Sequence, residues 1–584
     1  MRLSDAQHAA VSHPNSIALI ACPGSGKTQT LVAKLIKEVD EIGDSTRLLA
    51  CITYTNAAVH EIESRLNATL SSGRNLCEVE TIHSFCLKHI VVPHHWNLSV
   101  FRTGFSVLAF DDPRFSEIVA EVVTSFGLDK KAAEDFENLA RGANVYPSRI
   151  TREAAAAYWA ALDARFLMDF SSIIYWSAQL IQQVPYLARG LASRYQWILV
   201  DEFQDTSLLQ VKILRAIHAH GRTKVFIVGD PFQSIMSVNG ATPDLLASFG
   251  EEIKARRDIE LMENYRSSAP ILRLADTLCE RPSPMVAHGI NGQYAHVPEW
   301  YAVADMLSGI TDIFVPALAQ HGIKLSSSAI LANRWTSLLP LSRGLRDRRI
   351  PAIGPGTRPY KRSSHIIAPL VESLAAYSTE RAPTGVARIR RDLQRLIQDT
   401  TKGSGRTFGF LGDVCAERLI RLAARLGAAA PSAAMFLREI GDGIANEILR
   451  AELAPRTACE LVRESSKAMW ADIVKHESAY KLRTTTVQDL GLFAYGSTSL
   501  QLLTMHGSKG REYDAVALVD VFDGHVPFFT CSPGDATEAE GRRLLYVAIT
   551  RARKLLMMFT LAQSKEKPSR FLKELFPNGP HRRP

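Results

Sequence analysis

The sequence predicts an α/β protein with two cores of parallel sheet flanked by helices, each interrupted by a mostly helical insertion. Three observations carry this. Short apolar runs at Ile17 to Ala21, Leu48 to Thr53, Trp197 to Val200 and Val225 to Val228 recur as strands do in βαβ units. The first two lead through "CPGSGKT" and "YTNAAVHEIESRL" into helical patterns. The same rhythm returns late, in "SLQLLTMHGSKG", "DAVALVD" and "KLLMMFTL". Two blocks lack it: Phe85 to Trp197, with residues at helical spacing as in "REAAAAYWAALDARF", and Tyr360 to Thr498, which contains the Ala-rich "LGAAAPSAAMF". The expected order is a first core over 1–85, an insertion over 86–190, the first core again over 191–257, a second core over 258–359, an insertion over 360–497, and the second core again over 498–584.

The chain of 584 residues is 46% apolar, enough to pack about three or four domains. A formal charge of +8 suits a polyanionic partner and also an ordinary surface. The eight cysteines are scattered without a CxxC pair, so neither zinc nor an iron–sulfur cluster has its usual spacing. "MRLSDAQHAAV" lacks the apolar stretch of a secretory signal, and no run approaches the roughly 20 apolar residues that cross a bilayer. The expectation is a cytoplasmic protein with no membrane partner.

The chemistry concentrates in two places. In "ACPGSGKT", between a strand and the helix "TQTLVAKLIKEV", Gly24 and Gly26 let backbone N–H groups curl round phosphates, Lys27 reaches the β/γ oxygens, and Thr28 holds Mg²⁺. Ala21 replaces the first glycine of that motif. The expected ATP cradle is Ala21, Cys22, Pro23, Gly24, Ser25, Gly26, Lys27, Thr28 and Gln29. "WILVDEFQD" supplies an apolar strand ending in two carboxylates: Asp201 for Mg²⁺, and Glu202 as general base for the attacking water. Positive charge at the γ-phosphate is expected from Arg266 in "ENYRSS" and Arg551 in "AITRARK".

In this order the motifs resemble those of superfamily 1A helicases of the UvrD/Rep/PcrA type, from Leu3 to about Phe559. "LSDAQHAAV" is similar to the Q motif, "ITYTNAA" to motif Ia and "TIHSF" to motif Ib. "VDEFQD" resembles motif II, "VGDPFQS" motif III, "NYRSS" motif IV, "LLTMHGSKGREYD" motif V and "EGRRLLYVAITRAR" motif VI. The resemblance implies RecA-like cores 1A and 2A, helical insertions 1B and 2B, and ATP-driven translocation from 3′ to 5′ on single-stranded or tailed DNA. It also implies site roles: Gln7 on adenine, Gln233 sensing the γ-phosphate, Tyr265 stacking on adenine, and Glu512 on ribose.

The departures fall on the DNA side. Family members read "QSIYxWRGA", and the positions of its Tyr, Trp and Arg hold Met236, Val238 and Asn239 here. Ala57 stands where motif Ia has Lys. Tyr54, Thr55, Asn56, His83, Ser84 and His506 remain as strand contacts, or as polar residues satisfied within their own loops. A base platform is worth about 1–3 kcal/mol per base, so weaker strand binding is expected than in a processive helicase. This supports an alternative reading: a DNA-stimulated ATPase switch or sensor in an anti-phage defence or repair complex with a nuclease partner, similar to the short UvrD-like subunit of Gabija systems. His94 and His95 read as surface. The basic helix around Arg388 reads as a solvated face or a duplex contact.

Overall fold

The computed structural model describes residues 3–43, 45–69, 76–143, 146–235, 244–380, 385–401, 408–429, 432–494, 498–528 and 536–582. The chain divides into two compact units, one comprising residues 1–295 and 532–550, the other 296–531 and 551–584.

In the first unit the chain runs through β1 (Ile17–Ala21), β2 (Leu48–Thr53) and β3 (Cys77–Thr81). A helical block follows, containing the short pair β4 (Ser106–Val107) and β5 (Leu167–Met168). The chain then returns as β6 (Tyr195–Val200), β7 (Lys224–Gly229) and β8 (Glu260–Leu261). The sheet order is β3-β2-β6-β7-β1-β8, and every pairing in it is parallel. β8 pairs with β1, so the first unit continues past the expected boundary at 257. A further pair, β9 (Glu263–Asn264) with β10 (Val286–Ala287), extends it.

Helices cover both faces of this sheet, which is why its inner strands β1, β2, β6 and β7 are apolar along most of their length and not only at alternate positions. Ile17, Leu19, Leu49, Trp197, Leu199 and Phe226 pack with Leu31 and Leu35 of helix Lys27–Ile42. Their neighbours Ala18, Ala50, Ile198, Val200 and Ile227 face the opposite layer, with Phe203 and Phe249. One lysine sits inside the first layer. Lys34 is fully buried, donates to the carbonyls of Val11 at 3.1 Å and His13 at 2.7 Å, and pairs with Glu38 at 2.7 Å. It thereby binds the last turn of helix Asp5–Ser12, where free carbonyls favour a cation.

The second unit holds β11 (Glu299–Val303), β12 (Ser328–Ala332), β13 (Ala352–Ile353), β14 (Leu500–Thr504), β15 (Tyr513–Val519), β16 (Ala552–Leu561) and β17 (His581–Arg582). Their order is β13-β14-β12-β15-β16-β11-β17, again parallel throughout. Between β13 and β14 lies a helical block whose long members, Gly385–Thr401, Gly409–Ala429, Ala433–Arg450 and Arg456–Tyr480, share a core of Leu393, Leu419, Ile440, Ile444, Val462 and Met469. The basic helix is amphipathic. Its Arg388 pairs with Asp392 and donates to the Ala494 carbonyl, and Arg390 pairs with Asp413. No described helix is long and apolar enough to cross a membrane.

Candidate functional site

Because all strands of the first sheet point the same way, their carboxyl ends share one edge. Three adjacent strands, β6, β7 and β1, place chemistry there.

After β1 the loop turns on Gly24 and Gly26, whose φ values of 67° and 78° lie in the left-handed region. A side chain is excluded at either position. A Cβ on Gly24 would lie 2.5 Å from Arg266 Cβ, and one on Gly26 would lie 2.6 Å from Gln7 Nε2. Lys27 begins helix Lys27–Ile42, where free N–H groups and the helix dipole favour anions. The residue is 8% exposed and its Nζ donates to the Cys22 carbonyl at 3.4 Å, so the ammonium is held within the loop. Burial pushes the Cys22 thiol up to about 12, which keeps it uncharged within this loop.

After β6 come the carboxylates. The Asp201 N–H donates to the Ile52 carbonyl at 2.9 Å, and the Glu202 N–H donates to Asp201 Oδ1 at 2.9 Å. Thr28 Oγ1 donates to Asp201 Oδ2 at 3.3 Å, joining residues far apart in sequence. Burial, then the neighbouring Glu202, raise the pKa of Asp201. Two crowded carboxylates with a threonine hydroxyl form an oxygen donor set of the kind that takes Mg²⁺, and a cation there would relieve the same cost. Glu202 has φ 50°, and its carboxylate accepts from Gln204 Nε2 at 2.5 Å.

After β7 comes Asp230, fully buried. Its N–H donates to Gln204 Oε1 at 3.0 Å, and Gln233 Nε2 donates to its Oδ2 at 2.9 Å. Arg281 reaches Asp230 at 3.1 Å, its side chain 2% exposed. Tyr546, in helix Ala536–Ile549 of the same unit, donates to Asp230 Oδ2 at 3.1 Å and is also bonded by Arg281. Burial acts to lower the Arg281 pKa, but Asp230 and Tyr546 outweigh it and raise it. Arg543 of the same helix donates to the Ser234 carbonyl at 2.7 Å. A relay thus runs from Glu202 through Gln204 to Asp230, Gln233, Arg281 and Tyr546. Replacing Arg281 with Met leaves Asp230 buried without its cation. The expected cost is about 3–5 kcal/mol, read from urea unfolding; Asp230→Asn added to Arg281→Met is expected to recover much of it.

Three more predicted residues, Tyr265, Arg266 and Gln7, meet the loop. The Tyr265 N–H donates to the Gly24 carbonyl at 2.9 Å, Asn264 donates to the Pro23 carbonyl, and Tyr265 stays 41% exposed. Arg266 NH1 donates to the Thr550 carbonyl at 3.3 Å. Gln7 is buried: it closes a capping box with Ser4, and its Nε2 donates to the Ser25 carbonyl at 2.9 Å. Contact with adenine therefore requires Gln7 to exchange a bond it already makes.

Arg551, Glu512 and His506 belong to the second unit. Arg551 is 1% exposed and NH1 donates to the Arg511 carbonyl at 3.1 Å, and Glu512 accepts from Arg553 at 2.6 Å. His506 opens the short 3₁₀ turn His506–Ser508 after β14. Of the residues expected to touch the DNA strand, Thr55 and Asn56 are exposed, Tyr54 is half-buried, and Thr55 Oγ1 accepts from Ala58 N–H at 3.2 Å. His83 packs edge-on against Phe170 at 5.6 Å. Burial lowers its pKa to about 4, so it is a neutral ring near pH 7 and not a cation. Ser84 is exposed and bonds Thr81 at 2.9 Å. Met236, Val238 and Asn239 lie outside the described residues. His95 bonds the Phe101 carbonyl at 2.8 Å, and His94 lies against Trp96 and Tyr186.

Sequence reasoning passed over Lys34, Gln204, Arg281 and Tyr546. Gln204 and Tyr546 sit inside quoted motifs, whereas "CERPSPM" around Arg281 carries no signal at all.

Residues 3–254 match the UvrD/REP helicase N-terminal domain, and residues 469–563 match the UvrD-like helicase C-terminal domain. The chain is 25% identical to the ATP-dependent DNA helicase Rep of Escherichia coli, over 98% of this chain and 94% of the relative. It is 25% identical to DNA helicase II of the same organism, over 98% and 87%. It is 24% identical to the ATP-dependent DNA helicase PcrA of Staphylococcus epidermidis, over 96% and 84%.

Proposed function

Starting from a chain that belongs to the UvrD/Rep helicase family, we propose that this protein is an ATP-dependent DNA helicase that moves 3′ to 5′ along single-stranded or tailed DNA. The observation that carries the reading is the Thr28–Asp201 contact, 3.3 Å long, with Lys27, Glu202 and Gln233 on the same sheet edge. When bound, ATP with Mg²⁺ supplies an electrophilic γ-phosphoryl group and its counter-charge. Amides from Gly24 to Thr28 cradle the phosphates, and Lys27 exchanges the Cys22 carbonyl for a phosphate oxygen. Thr28 and Asp201 would hold the cation. Glu202 takes the proton from the attacking water, with Gln204 fixing its carboxylate. Tyr265 and Gln7 take the adenine, Glu512 takes the ribose, and Arg266 and Arg551 supply charge at the γ-phosphate. Tyr54, Thr55, Asn56, His83, Ser84 and His506 take the strand.

The test compares displacement of 3′-tailed and 5′-tailed duplexes with ATP turnover. DNA-stimulated hydrolysis with displacement of the 3′-tailed duplex alone is the expected result. Equal action on both tails would remove the polarity.

Met236, Val238 and Asn239, in place of an aromatic and arginine platform, favour a second reading: a DNA-stimulated ATPase switch in a repair or defence complex with a nuclease partner. Strong stimulation by DNA without displacement, restored by a co-purifying nuclease, selects it.

A further inference from the structure

In the second unit, a cavity of about 330 Å³ lies where the end of helix Trp335–Asp347 and the start of β13 meet residues 483–493. That volume is in the range of small-molecule sites, roughly 300–1,000 Å³. It shares no residue with the nucleotide site described above.

The wall is cationic. Arg346, Arg349 and Arg483 line it against one carboxylate, Asp489. That carboxylate is already satisfied: Arg483 grips it with two bonds of 2.7 and 2.8 Å, and the Thr486 N–H donates to it at 2.8 Å. Arg483 and Asp489 thus neutralise each other, leaving Arg349 without a carboxylate partner among the described residues and Arg346 with Glu477 alone, at 3.7 Å. Arg349 is exposed, and its side chain makes no hydrogen bond or ion pair among the described residues. Arg346 is the buried one, its side chain 9% exposed and its NH2 3.7 Å from Glu477. NH2 donates to Thr485 Oγ1 at 2.5 Å and to the Arg483 carbonyl at 3.3 Å, while Nε and NH1 are buried with no hydrogen-bond partner among the described residues. Orphaned donors on a buried cation are costly and ask for an acceptor, and planar guanidinium forks match phosphate oxygens. The rest of the lining is apolar, with Phe493, Leu492, Pro359 and Ile350 offering a wall for a ring.

We propose that this cavity binds a phosphomonoester of mononucleotide size, its phosphate on Arg346 and Arg349 and its ring against Phe493. The occupant ties the end of helix Trp335–Asp347 to the segment after helix Arg456–Tyr480, and so joins the second sheet to its helical block. The proposal is independent of the helicase reading.

The test is calorimetric titration of the full chain with the P-loop held by saturating Mg·ADP, using inorganic phosphate, ribose 5-phosphate, AMP and a single-stranded oligonucleotide as probes. AMP is expected to bind saturably and at least tenfold more tightly than inorganic phosphate, with ribose 5-phosphate between them. Arg349→Glu, which breaks no contact, should weaken AMP at least tenfold at an unchanged melting temperature and basal ATPase. Gln488→Glu, an exposed lining residue, is the second variant should the first unfold, with the same expectation. Three results would overturn the proposal: no saturable binding of any small phosphate; equal AMP affinity in wild type and both variants; or AMP silent while Arg349→Glu weakens the oligonucleotide, which makes the wall a strand contact.

Discussion

Glu202→Gln is expected to lower ATP turnover by about 10²- to 10⁴-fold, the range a positioned general base contributes, while ATP binding survives. Glu202 follows β6 at φ 50°, an uncommon conformation for a non-glycine residue and one that turns the side chain out of line with the strand. Gln204 Nε2 donates to its carboxylate, and Gln204 Oε1 accepts from Asp230 N–H, so this carboxylate is oriented from the end of β7. Glutamine keeps the size and can still accept from Gln204, but it cannot take a proton. The change is therefore confined to the chemical step. Single-turnover hydrolysis and nucleotide affinity, measured on the same preparation, separate the two; turnover near wild type would assign the base elsewhere.

Arg551→Ala is expected to cost about 10³- to 10⁵-fold in turnover, the range of a cationic finger at a transferring phosphoryl group, with ATP affinity changed far less. The structure adds a complication. Arg551 is buried in the second unit with NH1 on the Arg511 carbonyl, so the same guanidinium also holds local structure where β15 and β16 begin. Removing it is expected to lower the melting temperature as well. Arg551→Lys divides the effects: it keeps a charge and much of the packing but loses the fork that serves both partners at once. A lysine variant that is stable yet still at least a hundredfold slow supports the phosphate role. Loss of stability with normal turnover in the folded fraction would make Arg551 structural only.

The alternation of apolar runs and helical patterns is a local property, and so the α/β class and both helical blocks were legible in the chain. So was the phosphate loop, because its conformation is written in consecutive residues: Gly24 and Gly26 at positive φ, followed at once by a helix start. Asp201 and Glu202 were legible for the same reason, at the end of an unbroken apolar strand. Arg266 was legible only through its motif, since nothing local says that residue 266 lies against residue 24.

What the tertiary structure alone decided is who meets whom on the sheet edge. Strand order β6-β7-β1 is a long-range outcome, and it brings Thr28 to Asp201 and Gln204 to Asp230. β8 joined the first sheet, although the expected boundary after 257 put residues 260–261 with the second core, because a two-residue strand carries too little pattern to show its partner. Arg281 and Lys34 were invisible for a deeper reason. A lone basic residue in a sequence reads as a solvated charge, and only the fold shows that Asp230 and Tyr546, or Glu38 and two helix-end carbonyls, surround it. Burying such a charge is tolerable only when those partners converge, and convergence is a property of three-dimensional packing that neighbouring residues in the chain do not encode.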